Sequence, residues 1–562
     1  MANVTTSCKE CGQNYLQSPN EEQWEKKLAT KLPNLCFECS HRQRLSLRTD
    51  RVLYNRKCDF SGEPIISVYS ADKPYKVYKS DYWFSDQWDP MSYGQEFDFS
   101  KTFFEQFAEL QRKVPRVALT NVKSDNSDYC NSTYGNKNCY LIFGGDFNQD
   151  CIYGTLSMHN EDVVDCDFSN KNRLCYMMSD SINCYNCQFA FDSKNCTDCA
   201  FITDCTNCTE CILSSNLHNK TYFINNKQYS KEEYFKEKKR LLSGDRNQQQ
   251  LNLQNFLSLR SNRIVKDMHA ISCENCTGDY MKNSQDCHMA FDVSDSQNIE
   301  SVVFASKAKD CYNTDYLGDN AELCYNSVST LGSYDIRWSH FIIESSNIEY
   351  SEMCMNSKDL FGCIGVRQKQ YCVLNKQYSK EDFFKLREKI IDHMKQTAEW
   401  GLFFPKSLSC VGYNESTAQQ HFPLTKDQAL KLDHKWQDKD PTNRYQGPTI
   451  NVPDRINDVT YEITKQILVC KDCQKNYRII NEELNFYRKM NIPVPKQCPD
   501  CRYKWRLSMR NPRKLWDRTC ICTEKAHTNH SGTVCKKAIQ TSYAPDRPEK
   551  VYCEECYLET VY

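Results

Sequence analysis

Two stretches of this chain carry the same spacing of cysteines. Near one end it reads Cys8-x2-Cys11-x24-Cys36-x2-Cys39. Near the other it reads Cys470-x2-Cys473-x24-Cys498-x2-Cys501. Each CxxC knuckle presents two thiolates on one tight turn, and two facing knuckles supply the four soft ligands that tetrahedral zinc takes. A third set follows the second: Cys535, Cys553 and Cys556, with a fourth ligand among Cys522, Cys520 and His530, of which Cys522 is taken first. The spacing therefore predicts about three zinc ions.

The knuckles belong to a longer duplication. At a constant offset of 462, Tyr15, Pro33 and Arg44-Leu45-Ser46 match Tyr477, Pro495 and Arg506-Leu507-Ser508. Arg48, Arg51 and Arg56 likewise match Arg510, Arg513 and Arg518. A short helix is expected between the knuckles of each copy, over Glu21–Leu28 and Glu482–Met490, opening on paired acids and followed by proline. In the first copy Ser61, Lys79 and Tyr82 stand where the third cysteine set would be, so residues 58–125 are expected to form a metal-free finger with an aromatic core.

Basic residues crowd behind the second knuckle of each copy. Arg502, Arg506, Arg510 and Arg513 are spaced so that a helix aligns them, and Arg44 and Arg48 repeat the pattern. Such a stripe, interleaved with Trp505 and Trp516, is the footprint expected of a surface for phosphate backbones, with RNA or single strands favoured over duplex DNA. The bland alternative is a solvated helix face.

A length of 562 residues implies several domains, and 12% aromatic residues argue against disorder. The N-terminal residues lack a charged segment and an apolar stretch, and no run approaches a membrane span, so the expectation is a cytoplasmic protein with no membrane partner. In a reducing compartment, 35 cysteines point to metal and buried thiols, not to disulfides.

Most remaining cysteines lie in the middle. Cys166, Cys187 and Cys208 recur at a constant offset of 21, as do Cys175 and Cys196, with steps of nine and twelve inside the period. A fixed period of this size marks a solenoid of stacked coils. Asn or Asp usually precedes the cysteine (Asn183, Asn195, Asp204, Asn207), as left-handed corners favour. An apolar residue often stands two places after it (Tyr153, Phe168, Met177, Phe189, Phe201), which predicts by period two that both face one core. Buried thiols would fill that core as small hydrophobes. Metal or redox chemistry at Cys184/Cys187, Cys196/Cys199, Cys205/Cys208/Cys211 and Cys273/Cys276 is the competing reading.

The heptapeptide from Asn226 to Glu232 returns unchanged from Asn375 to Glu381. Each copy opens a helix with a capping pattern, Ser230-x-x-Glu233 and Ser379-x-x-Asp382, fit to close the end of a solenoid block. The fold expected is thus mainly β and multidomain, with terminal zinc ribbons flanking two cysteine-rich β-solenoid blocks. The boundaries are 1–57 (ribbon), 58–125 (degenerate finger), 126–242 (first block), 243–260 (a hinge), 261–395 (second block), 396–461 (connector), 462–519 (ribbon) and 520–562 (second finger).

The segment Cys470-x2-Cys473, Tyr477, Phe486-Tyr487, Cys498-Pro-x-Cys501-Arg502 resembles the probable zinc-ribbon domain of many bacterial proteins. The whole chain looks like large cysteine-rich proteins of candidate-phyla (Patescibacteria-like) bacteria, through Trp83 to Pro90, Phe403-Phe404-Pro405, Gly412 to Glu415 and Tyr543 to Pro548. The resemblance implies zinc ligands at the eight ribbon cysteines and supplies no activity. No P-loop, dinucleotide fingerprint, HExxH or nucleophile elbow is present. The sequence thus favours a nonenzymatic zinc protein that binds RNA or DNA through Arg44, Arg48, Arg502, Arg506, Arg510 and Arg513. A protein-interaction scaffold using the solenoid surface and a thiol-based redox or metal-handling protein are the alternatives.

Overall fold

The computed structural model describes residues 5–438, 450–524, 526–530 and 533–561. Gln446-Gly447-Pro448 of the expected connector lies outside them. The chain is mainly β, built on two long parallel ladders. Ladder A is a nine-stranded sheet between Tyr140 and Gln228, its strands adjacent in chain order. Ladder B runs from Ala270 to Gln377 as a nine-stranded and a five-stranded sheet.

The repeat that builds ladder A is twelve residues, not 21. Ile152 pairs with Val164, Val164 with Tyr176, Tyr176 with Gln188, Gln188 with Ala200, and Ala200 with Ile212. Within the twelve there is a finer period of three. From Asp162 through Asp165, Phe168, Lys171, Leu174, Met177 and Asp180 to Asn183, every third residue has a positive φ. The residue after each of these corners turns inward: Val163, Cys166, Ser169, Asn172, Cys175, Met178, Ser181 and Cys184 are all buried. The longer cysteine period is one twelve-residue step plus three triplets.

This triplet geometry overturns the period-two expectation. The thiols pack with Ile142, Val163, Met178, Ala190 and Ile202 in one core. Tyr153, Met177, Phe189 and Phe201 occupy left-handed corners and belong to a different cluster, on the outer side of the ladder. Bulky residues at such corners carry strain of order 1 kcal/mol or more each. Regular inter-strand bonds and the elements packed outside hold them there.

Small side chains fill most of this narrow core, and its polar atoms are bonded along the stack. Asn148 N donates to Asn136 Oδ1 (2.8 Å), Asn160 N to Asn148 Oδ1 (3.1 Å) and Asn172 N to Asn160 Oδ1 (2.8 Å). Cys184 takes the next place in this column, its N–H donating to Asn172 Oδ1 (2.8 Å). In the neighbouring column the Cys187 thiol shares its proton between two carbonyls, with Sγ 3.3 Å from Tyr185 O and 3.4 Å from Cys196 O. Burial raises the Cys175 and Cys187 thiols above the usual range, which keeps them protonated and unreactive. Ladder B uses the same plan with two slips. Glu274 pairs with Gln285, one residue short of twelve, and Lys309 with Glu322, one residue over.

Each ladder ends in a helix. Ser230 Oγ accepts from Glu233 N (3.3 Å) at the start of Lys231–Leu241, and Ser379 Oγ from Asp382 N (3.1 Å) at the start of Lys380–Gln396. The expected hinge is instead a 16-residue helix, Arg246–Ser261. Asp245 caps it, and Asn252, Phe256 and Arg260 are buried along one stripe against ladder A. Amides dominate its composition, but the cap and the spacing of its apolar residues decide its conformation. The degenerate finger does pack an aromatic core, with Trp83, Trp88, Tyr78 and Phe103 buried together.

Candidate metal centres and the docking helices

In the N-terminal module the turn Cys8–Cys11 links the strands Thr5–Ser7 and Asn14–Leu16. Gly12 closes it with φ 71°, a conformation that glycine adopts without strain. After the helix Glu21–Leu28, Cys36 caps the helix Phe37–Leu45 and places Cys39 in its first turn. Cys36 N donates to Cys8 Sγ (3.3 Å), and Cys11 Sγ lies 3.9 Å from Cys36 Sγ. Hydrogen bonds from the Cys39 thiol and its backbone N–H hold the Cys36 thiol down at about 5.

The C-terminal copy repeats this with the helices Asn481–Lys489 and Pro499–Met509. Cys498 N donates to Cys470 Sγ (3.2 Å), and Cys473 Sγ is 3.6 Å from Cys498 Sγ. Burial opposes ionisation of Cys470, but the N–H groups of Cys498, Cys473 and Asp472 outweigh it and hold the thiol at about 7.

The third group is Cys520, Cys535, Cys553 and Cys556. Cys553 N donates to Cys520 Sγ (3.2 Å), and Cys535 Sγ is 4.0 Å from Cys553 Sγ. Cys522 is therefore not the fourth ligand of this set; its sulfur turns to His527 Nδ1, 3.3 Å away. The sequence held a signal for this. The offset of 462 sets Cys520 opposite Cys58, and Cys58 Sγ likewise accepts the N–H of Lys79 (3.3 Å).

In all three groups the sulfurs lie within 4.8 Å of one another. Four sulfurs around a tetrahedral ion with bonds of about 2.3 Å stand about 3.8 Å apart. Donor type, number and spacing fit one metal ion per group. Among the described residues, no group of three or more potential ligands within that range is drawn from the ladder cysteines alone. Asp192, Asp204 and His269 also converge, but arginines already answer the carboxylates: Arg263 Nε is 2.6 Å from Asp204, and Arg260 is 3.5 Å from Asp192.

The arginines do not form an exposed surface. The helix behind the second knuckle ends at Met509, so it aligns only Arg502 and Arg506; Arg510 and Arg513 come from the extended segment beyond. All four point into the molecule. Arg502 Nε meets Asp165 (2.7 Å), and Arg506 meets Asp167 (2.5 Å) and Asp165 (2.8 Å). Arg510 meets Asp180 (2.8 Å) and Asp292, and Arg513 meets Asp292 (3.1 Å). Arg44 pairs with Asp315 (2.6 Å) and Arg48 with Asp50 (2.8 Å). The six are at most 9% exposed. Trp505 packs edge-on against Phe191, with ring centres 5.7 Å apart. The expected nucleic-acid contacts at Arg44, Arg48, Arg502, Arg506, Arg510 and Arg513 are thereby corrected: an arginine held in a buried ion pair has no charge to offer a phosphate.

The two docks are equivalent and crossed. The N-terminal module sits on ladder B and the C-terminal module on ladder A. Counting back from the repeated Asn226 and Asn375 through the single thirteen-residue step, Asp167 and Asp315 hold the same place in their ladders. Arg506 and Arg44, equivalent at offset 462, bind them. The neighbouring contact matches as well: Arg506 Nη1 donates to Asp165 Oδ1 (2.8 Å) and Arg44 Nη1 to Asn313 Oδ1 (2.5 Å). So does the next, with Arg510 on Asp180 and Arg48 Nη1 on Ser329 Oγ (2.6 Å).

No family model and no curated protein matches the chain. Solved structures similar to it include a UDP-N-acetylglucosamine acyltransferase from Campylobacter jejuni, at 10% identity over 50% of this chain and 88% of that one. Its TM-score of 0.09 is too low to carry an argument about fold or activity. No helix among the described residues is long and apolar enough to cross a membrane.

Proposed function

We propose that this chain is a nonenzymatic scaffold in which zinc-held terminal ribbons clasp two β-solenoid blocks, leaving the uncovered solenoid faces to contact other proteins. The observation that carries this reading is the inward aim of the arginines. A ribbon that used them on nucleic acid would need them in solvent, and here five of them pair with aspartates of the ladders and Arg48 with Asp50 of its own module. Zinc is the metal that best suits three all-thiolate tetrads, and the zinc-ribbon resemblance of the two ends agrees with it.

The faces away from the ribbons support the scaffold role. Asn183, Asn195, Asn207 and Asn219 form a bonded row along one edge, each side-chain amide donating to the next (2.8, 2.9 and 3.1 Å). Tyr134, Phe147, Ile182 and Tyr185 are exposed on the same block. A regular, preordered surface of this kind costs little conformational entropy to dock against.

The test is a binding titration of the full chain, loaded with zinc, against single-stranded RNA and duplex DNA at low salt. No binding to either is expected. Binding that weakens in an Arg506→Ala/Arg510→Ala variant with unchanged circular dichroism would overturn the reading and restore the basic segments as a phosphate surface.

A further inference from the structure

Beside the third tetrad lies a second set of ligands. Cys522, His527, His530 and Cys556 bring one sulfur or nitrogen atom each to within 4.8 Å of one another. Cys556 belongs to both sets. We propose that the C-terminal finger is a two-metal centre, in which the Cys556 thiolate bridges an all-cysteine ion and a second, mixed cysteine–histidine ion.

Hydrogen bonds fix both imidazoles in the form that a metal needs. His530 Nδ1 lies 2.8 Å from the carbonyl oxygen of Thr533. A carbonyl only accepts, so Nδ1 carries the proton and Nε2 keeps its lone pair. That Nε2 is sealed from solvent and has no hydrogen-bond partner among the described residues. A buried nitrogen lone pair left unanswered costs on the order of 1–3 kcal/mol, and a metal ion at this position answers it.

The same logic applies to His527. Thr560 Oγ1 donates its proton to Cys556 O (2.7 Å). It therefore accepts from His527 Nε2, 3.3 Å away. The proton of His527 is on Nε2, and Nδ1 turns its lone pair towards Cys522 Sγ (3.3 Å). Outer bonds that orient a ring and fix its tautomer are the usual surroundings of a histidine bound to zinc. Asn529 Nδ2 donates to Cys556 Sγ (3.3 Å), which steadies the shared sulfur.

Charge favours the second ion. Four thiolates around one divalent cation leave two negative charges in a buried site. Five thiolates (Cys520, Cys522, Cys535, Cys553 and Cys556) with two divalent cations leave one. The duplication makes the same point by contrast, because the metal-free finger at residues 58–125 has lost both sets, retaining Cys58 alone. The mixed site takes a borderline divalent ion of the zinc or cobalt class, which both imidazole and thiolate bind.

The test is metal stoichiometry on the full chain by native mass spectrometry during zinc titration, for the wild type and for the His530→Ala and Cys522→Ser variants. Four ions are expected in the wild type and three in each variant. A wild type that stops at three, or variants that still take four, would overturn the proposal. Fewer than three would instead indict the all-cysteine tetrads on which the proposed function rests. Should a variant misfold, cobalt substitution of the wild type decides alone. The fourth equivalent must add ligand-field bands of a mixed sulfur–nitrogen site, at shorter wavelength than those of the four-sulfur sites. A fourth equivalent with unchanged bands, or with bands of octahedral surface cobalt, would defeat it.

Discussion

A single side chain shows how charge is used in this protein. Arg506 is buried between Asp165 and Asp167, and both of those carboxylates are buried too. Removing one member of such a group strands the others in a dry site. Arg506→Ala should therefore destabilise the chain by about 3–5 kcal/mol, read from urea unfolding. A loss under about 1 kcal/mol would mean that water reaches the aspartates. Cys187→Ala probes the opposite chemistry, since that thiol acts as a small apolar filler with two weak hydrogen bonds. It should cost about 1–3 kcal/mol and leave the metal count unchanged, as elemental analysis would show. His269 supplies a pH test. Burial alone would lower its pKa, but Asp279, 2.9 Å away, raises it to about 9. Its folded pKa exceeds the unfolded value of about 6.5. The pair's stabilisation is thus complete below about pH 6.5 and fades as pH climbs through 9. Imidazole nitrogen shifts at pH 7.5 should report a doubly protonated ring; a neutral ring there would remove the pair from the balance.

At the scale of elements, different parts were legible for different reasons. The terminal tetrads could be read because thiolates at fixed spacing have few other uses, and the capping boxes because Ser230 and Ser379 carry their own local hydrogen bonds. The thiol core was foreseen, but its geometry was not. Cysteine marks only some inward positions of ladder A, the rest falling to Ser, Asn, Val, Ile, Ala and Met, so the period of three hides beneath the longer period of one residue type. The outer aromatics misled for a related reason. Spacing by two implies one face only in an extended strand, and here each triplet turns a corner. The helix Arg246–Ser261 was hidden by composition, although Asp245 and Phe256 were there to be seen. The direction of the arginines could not have been read at all. For Arg502 and Arg506 it depends on aspartates 337 and 339 residues away in sequence, brought near by a fold that no local pattern encodes.

For the whole molecule, the ribbons are held by two kinds of bond: thiolates within each module, and buried ion pairs to the ladders. Under the proposed function, metal at the tetrads governs the clasp but not the ladders, whose stacked cores contain none of them. Chelation at neutral pH should raise hydrogen exchange in Phe37–Leu45 and Pro499–Met509, and in the strands that carry Asp315 and Asp167. Amides of the other ladder strands should stay protected. Exchange that rises everywhere at once would show that the chain unfolds as one unit, and no change would show that the modules hold without metal. The crossed docking also has a consequence in time. Arg44 is synthesised 271 residues before its partner Asp315, and Asp167 waits 339 residues for Arg506. At roughly 5–20 residues per second, the second delay is about 20–70 s. Throughout it, ladder A presents its acidic row, and the aromatic corners that the helix Arg246–Ser261 does not cover, to solvent or to a chaperone, while the first cysteine module, already made, has nothing to sit on until ladder B emerges. The arginines that answer the first ladder's aspartates are thus made only after the second ladder is complete, and a nascent chain stalled before Arg502 would leave Asp165 and Asp167 without them.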